Sequence, residues 1–252
     1  MLQLTQDVAR SWLDSWDRQQ EGYLPDREER FTAMIDAIEL GVEREDPLVI
    51  DLGCGPGSLS TRLLERLPKA TVIGLDTDPL LLALGRAAHG DIAALSFVET
   101  DIAEAGWSRN LGLDRPADAA VSTTALHWLL PEQLRVLYAE TAAALTPGGL
   151  LLNGDNLRET APTLRSLEGK LVDRKKERRF GADSPPQWDQ WWDDVLSDPV
   201  LSQFTSRKAT SGHHTSGSGD LATHVKALIE AGFAEVGTVW QSGHNRVVCA
   251  VR

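Results

Sequence analysis

The chain has 252 residues, 42% of them apolar and 25% charged, with a formal net charge of −12 at pH 7. That length suits one large α/β domain, or a core with a smaller elaboration. The acidic balance argues against a nucleic-acid partner, whose phosphates call for clustered Lys and Arg, and no apolar run approaches the roughly 18 residues of a membrane span.

The opening segment MLQLTQDVARSW lacks the basic-then-apolar pattern of a secretory signal. Two cysteines, Cys54 and Cys249, are too few for a disulfide framework, so a reducing cytoplasm is the expected location. Up to residue 46 the pattern is helical. Val8, Trp12, Leu13 and Trp16 recur at spacings of three and four, Gly22 and Pro25 interrupt, and Phe31, Met34, Ile35, Ile38 and Leu40 resume the period. From residue 48 the pattern alternates. Strands are predicted over 48–52, 71–75, 95–99, 119–122 and 150–153, with helices over 58–67, 79–88 and 131–145 between them. Pro147-Gly148-Gly149 is predicted to be a sharp turn. Such alternation argues for a parallel sheet covered on both faces.

Residues 156–219 leave that rhythm. They carry the basic run Arg174-Lys175-Lys176-Glu177-Arg178-Arg179, read as the solvated face of a helix, then Pro185-Pro186 and a tryptophan cluster. The stretch 211–219 is a predicted loop. A helix over 221–231 and two antiparallel strands, 234–240 and 247–251, follow.

The segment VIDLGCGPG, residues 49–57, places a glycine-rich turn between a buried strand and a helix, the arrangement of a nucleotide site. Gly53 and Gly55 fit the first two positions of a dinucleotide fingerprint, but Ser58 occupies the third. Asp51 stands two residues before the first glycine. A carboxylate there repels a pyrophosphate and attracts a ligand with an ammonium and a sulfonium, such as S-adenosylmethionine, by about 4 kcal/mol at ~4 Å in a near-surface dielectric. Asp76 ends the second strand, where an acid accepts from ribose hydroxyls, and Asp101 ends the third, within reach of an adenine. Asp78 before Pro79 reads as a helix cap. An NAD-dependent oxidoreductase stays open as an alternative, as does a non-catalytic protein that binds the same methyl donor.

VIDLGCGPG, VIGLDTDP, FVETDIAE and ALTPGGLLL together resemble the class I S-adenosylmethionine-dependent methyltransferase family, from about residue 48 to 155 and again from 221 onward. STTALHW, residues 122–128, looks like the small-molecule branch that includes trans-aconitate methyltransferase. The resemblance implies a Rossmann-like seven-stranded α/β sheet, mostly parallel with an antiparallel last strand. It implies a donor site of Asp51, Gly53, Cys54 and Gly55 around the methionine portion, Asp76 and Thr77 at the ribose, Asp101 and Ile102 at the adenine, and Thr123 at the methionine end. S-adenosylhomocysteine would be the product. The expected organisation is a helical lid over 1–46, a core over 47–155 and 220–252, and an inserted cap over 156–219.

The methyl acceptor is expected to be a small molecule, with oxygen the preferred acceptor atom. His127 is the first candidate for a general base, with helix-entry packing as the alternative, and His214 is the second. Asn153, Asp155 and His213 are candidate acceptor contacts. Trp188, Trp191 and Trp192 share one side of a helix and read either as a cap over an apolar or planar acceptor or as core packing. Tyr23, Arg27 and Arg30 are candidates for the donor carboxylate. No His spacing matches a zinc pattern, so no metal is expected. A monomer or a homodimer is expected.

Overall fold

A computed structural model of the chain describes residues 4–181, 188–205 and 219–252. Seven strands form one sheet: β1 (Leu48–Leu52), β2 (Thr71–Asp76), β3 (Leu95–Glu99), β4 (Ala117–Thr123), β5 (Leu145–Asn156), β6 (Glu235–Ser242) and β7 (Asn245–Val251). Their order is β3-β2-β1-β4-β5-β7-β6. β1 to β5 pair in parallel, and β7 runs antiparallel between β5 and β6. The chain steps outward from β1 to β3 on one side and from β4 onward on the other. That reversal opens a crevice at the carboxyl ends of β1 and β4.

The helices are α1 (Gln6–Tyr23), α2 (Arg27–Gly41), α3 (Ser58–Arg66), α4 (Pro79–His89), α5 (Pro131–Ala144), α6 (Pro162–Phe180), α7 (Trp188–Ser197) and α8 (Leu221–Glu230). β1 is buried along its whole length, as a parallel strand covered on both faces must be. Ile50 and Leu52 face Leu134, Leu137 and Tyr138 of α5 and Leu228 of α8. Val49, with Val72 and Val121, faces Phe31, Met34 and Ile38 of α2 and Leu59 and Leu63 of α3. Each such side chain contributes about 1.5–3 kcal/mol by leaving water. A third apolar cluster lies to the side, where α1, α4 and α7 meet through Trp16, Leu80, Leu84, Trp191 and Val195.

The predicted break in the N-terminal helices falls at residues 24–26, and Asp78 caps α4 as expected, accepting from Leu80 N at 2.9 Å and Leu81 N at 3.1 Å. β5 is longer than predicted. Pro147-Gly148-Gly149 does not end an element; it bulges within the strand, because Ala117 pairs with Leu145 whereas Ala119 pairs with Leu150. Gly148 supplies the positive φ of 78° that the bulge needs.

α6 is fastened to the body by charge. Glu168 pairs with Arg246 of β7 at 2.6 Å, Lys175 pairs with Asp26, and Arg179 donates to Pro25 O. The basic run is therefore only partly a solvated face: Arg174 and Arg178 are exposed, while Lys175 and Arg179 grip the α1–α2 junction. Among the described residues no helix is long and apolar enough to cross a membrane.

Candidate active site

The turn after β1 bends back onto β2, with Gly53 N and Cys54 N both donating to Leu75 O at 2.8 and 2.9 Å. Gly53 has φ 71°, and a Cβ there would meet the Ala125 Cβ at 2.4 Å, so no side chain fits. Gly55 has φ 55° and lies beneath Trp16, whose Cζ2 is 3.9 Å from the position of an added Cβ. The third glycine of the turn is Gly57, at φ 90°, and not a residue at the Ser58 position. The 53-55-57 spacing was visible in the sequence but does not match the dinucleotide template.

Asp51 is fully buried below this turn. Its Oδ2 accepts from Ser60 Oγ at 2.6 Å, while Oδ1 has no partner. Burial lifts the carboxyl to about 7, the Ser60 hydrogen bond pulls it down, and Asp76 pushes it further up. A buried acceptor with a missing partner suits a cationic ligand group, the kind S-adenosylmethionine carries. Gln19 of α1, one turn beyond Trp16, is also fully buried, with neither amide atom partnered. A glutamine on a helix gives no local sign of that.

Asp76 holds the turn closed, accepting from Gly55 N at 2.7 Å and from Asp78 N at 2.9 Å. Burial raises its carboxyl, opposed by those backbone N–H groups. Thr77 and Asp101 are exposed along the same edge, and Asp101 accepts from Ala103 N at 2.9 Å, with Ile102 buried beside it. Cys54 is buried against Gly74, and burial pushes its thiol well up, so it is a packing group and not a thiolate.

After β4 the chain passes through Thr124, a β-branched residue at φ 52°. Such a conformation costs about 1–3 kcal/mol and concentrates at functional sites. A short 3-10 turn over Leu126–Trp128 then presents His127. Its Nδ1 lies 2.7 Å from Asp155 Oδ1 and its backbone N donates to Asp155 Oδ2 at 3.2 Å. The Trp128 ring lies 4.5 Å from the imidazole. Burial lowers the imidazole's pKa, but the Asp155 charge outweighs it and raises the value overall.

Several expected contacts sit elsewhere. Arg30, expected at the donor carboxylate, is fully buried, donating to Thr123 Oγ1 at 2.5 Å and Asn245 Oδ1 at 3.1 Å; it braces the ends of β4 and β7 from below. Arg27 is likewise turned inward, paired with Asp17 at 2.9 Å. Asn153, expected at the acceptor, points behind the sheet toward His224 (3.3 Å), beside Tyr138. Trp191 and Trp192 are buried: Trp191 meets Trp12 and Trp16 edge-on, Trp188 tilts against Trp16, and Trp192 packs on Trp188 and Trp191. That is the packing alternative, because α7 docks on α1 and α4. His213 and His214 lie outside the described residues, as does the side chain of Tyr23.

Residues 49–149 match a family described as "Methyltransferase domain". Trans-aconitate 2-methyltransferase of Methylobacterium nodulans is 33% identical over 151 residues, 59% of this chain and 54% of that one. The Deinococcus radiodurans enzyme of the same name is 38% identical over 109 residues, covering 43% of this chain and 38% of its own. The matches thus span about half or less of those relatives. Magnesium protoporphyrin IX methyltransferase from Synechocystis, solved with bound SAH, shares the fold at a TM-score of 0.56 and 17% identity, over 95% of this chain and 94% of that one. Human N-acetylserotonin methyltransferase in complex with SAM gives a TM-score of 0.51 at 16% identity, over 94% of this chain and 56% of that one. Residues 49–149 thus resemble a methyltransferase domain, and the chain has the Rossmann-like fold of these solved methyltransferases. Over that core the chain is similar to trans-aconitate 2-methyltransferase.

Proposed function

We propose that this chain transfers the methyl group of S-adenosylmethionine to an oxygen of a small-molecule acceptor and releases S-adenosylhomocysteine. The observation that carries this reading is Asp51: a buried carboxylate with one orphaned oxygen, beneath a turn of positive-φ glycines, inside the matched methyltransferase domain. Asp51 would attract the cationic methionine end, Asp76 and Thr77 would take the ribose, and Asp101 with Ile102 would flank the adenine. The donor supplies an electrophilic methyl group, and the chain's residues align and enclose it. α1 closes the donor side through Trp16 above Gly55, and we read residues 1–46 as the lid and 156–219 as the acceptor-side elaboration.

Calorimetry with S-adenosylmethionine and S-adenosylhomocysteine tests the donor site. Binding of neither below millimolar concentration defeats the proposal. Release of S-adenosylhomocysteine in the presence of small hydroxylated compounds, acids and amines then separates an enzyme from a protein that only binds the donor.

A further inference from the structure

We propose that the acceptor is a hydroxyl compound, an alcohol or phenol, whose proton passes to His127 while Asp155 positions that imidazole. This rests on the methyl-transfer reading above and sets the chain apart from relatives named for trans-aconitate, a tricarboxylate. An ionised carboxylate needs no base to attack a methyl group, whereas a neutral hydroxyl does.

The geometry behind His127 is more than a turn requires. Asp155 is fully buried, a costly place for a carboxylate. Both of its oxygens are spent on His127, one on the ring and one on the backbone N–H, with Asn156 N donating to Oδ1 at 2.7 Å. A carboxylate only accepts, so the neutral imidazole carries its proton on Nδ1 and leaves the Nε2 lone pair facing away from Asp155. The His127 side chain is 25% exposed, with its Nδ1 edge covered by Asp155. Two residues earlier, Ala125 abuts Gly53, so the turn that carries His127 begins against the glycine turn proposed to hold the methionine end.

The charged and titratable surroundings are consistent with a base held ready. Burial disfavours ionised Asp155, but His127, Arg30 of α2 and His224 of α8 outweigh it and bring the carboxyl down to about 2. Tyr138 of α5 stands behind them, its phenol pushed far up by burial and then by Asp155. In the reaction the acceptor O–H bond breaks, its proton goes to Nε2 of His127, and the oxygen pair forms the new O–CH3 bond. The C–S bond breaks with its electrons left on sulfur, giving the neutral thioether, and the imidazolium then returns the proton to solvent.

The test uses the whole chain and three measurements. First, S-adenosylhomocysteine affinity is determined for the wild type, His127→Gln and Asp155→Asn; loss of binding in the wild type removes the methyl-transfer reading itself. Second, methyl transfer to catechol, simple phenols, aliphatic hydroxy acids and trans-aconitate is followed from pH 6 to 9. A hydroxyl acceptor is expected to give a methyl ether, with kcat rising to a plateau as His127 loses its proton. His127→Gln lowers kcat by about 10²–10⁴-fold, and Asp155→Asn lowers the plateau and moves the rising limb to lower pH, with the donor KM little changed. Methyl ester formation on trans-aconitate that is indifferent to His127→Gln overturns the proposal, as does full kcat on a hydroxyl acceptor in that variant. Third, nitrogen NMR of the His127 ring reads the tautomer without any acceptor. A neutral ring protonated on Nε2, or a ring pKa unmoved by Asp155→Asn, also overturns it.

Discussion

Replacing Asp51 with asparagine separates what this carboxylate does for the ligand from what it does to the fold. Burial first, then Asp76, holds the carboxyl near 7 against 3.8 for an ordinary aspartate, with Ser60 easing it down. The folded chain therefore holds this proton more tightly than the unfolded chain does. The resulting stabilisation is complete below pH 3.8 and is lost as pH rises through about 7. Relative to acid, the ionised side chain then disfavours the ligand-free fold by on the order of 4 kcal/mol, taking the gap from 3.8 to about 7 at roughly 1.36 kcal/mol per pH unit. A cationic donor reverses the preference, so binding expels the proton: about half a proton at pH 7 and about nine-tenths at pH 6. Calorimetry of S-adenosylmethionine binding in phosphate and in Tris measures this directly, because the two buffers take up a proton with different enthalpies. The wild type should show a buffer-dependent enthalpy at pH 6 that vanishes by pH 9. Asp51→Asn should show none, melt at a higher temperature at pH 8, and bind the donor more weakly. Identical wild-type enthalpies in the two buffers at pH 6 would refute the reasoning, as would undiminished donor affinity in the variant at pH 8.

Gly53→Ala should destabilise the fold by about 1–3 kcal/mol from its φ of 71° alone and abolish donor binding, because the new methyl meets Ala125; thermal melts and calorimetry report both. Asp76→Ala should weaken donor affinity by about 1–3 kcal/mol, by removing the acceptor for Gly55 N as well as the proposed ribose contact, and an unchanged Kd removes Asp76 from the site. Glu168→Ala leaves Arg246 buried with Glu159 as its remaining carboxylate, and should cost about 3–5 kcal/mol in urea unfolding. Conversion of Arg246 and Glu168 together to Met and Leu should recover much of that loss.

The sheet was legible because its signals are local. β1, β2 and β3 are short, largely apolar runs with an Asp or Gly at or within two residues of their ends, and β1 to β4 fall within about two residues of their predicted bounds. β5 began early because Pro147-Gly148-Gly149 is a turn sequence that the strand accommodates as a bulge, and only its partner β4 reveals that. The glycine turn after β1 was readable for the same reason: its acids and glycines are a few residues apart. The acceptor side was not. His127 stood out by type, but its partner Asp155 lies 28 residues away on β5. Arg30 finds Asn245 across 215 residues, and nothing near either one announces the pairing. The tryptophans of α7 were correctly placed on one face, but whether that face meets a ligand or a helix depended on α1 and α4, far off in sequence.

The cluster that joins α1 and α7 rests on α4 and includes no strand residue. Its cohesion is therefore largely independent of the ladder hydrogen bonds that hold β1 to β2 and β4. α1 and α7 should therefore open locally from α4 before the strands lose their protection, which amide exchange along the two helices would show. The seam along which they part runs over Gly55, where Trp16 meets the turn, and past Ser58 and Arg62, where Asp17 latches α1 to α3. The seam between the helical layer and the sheet thus runs along the glycine turn after β1.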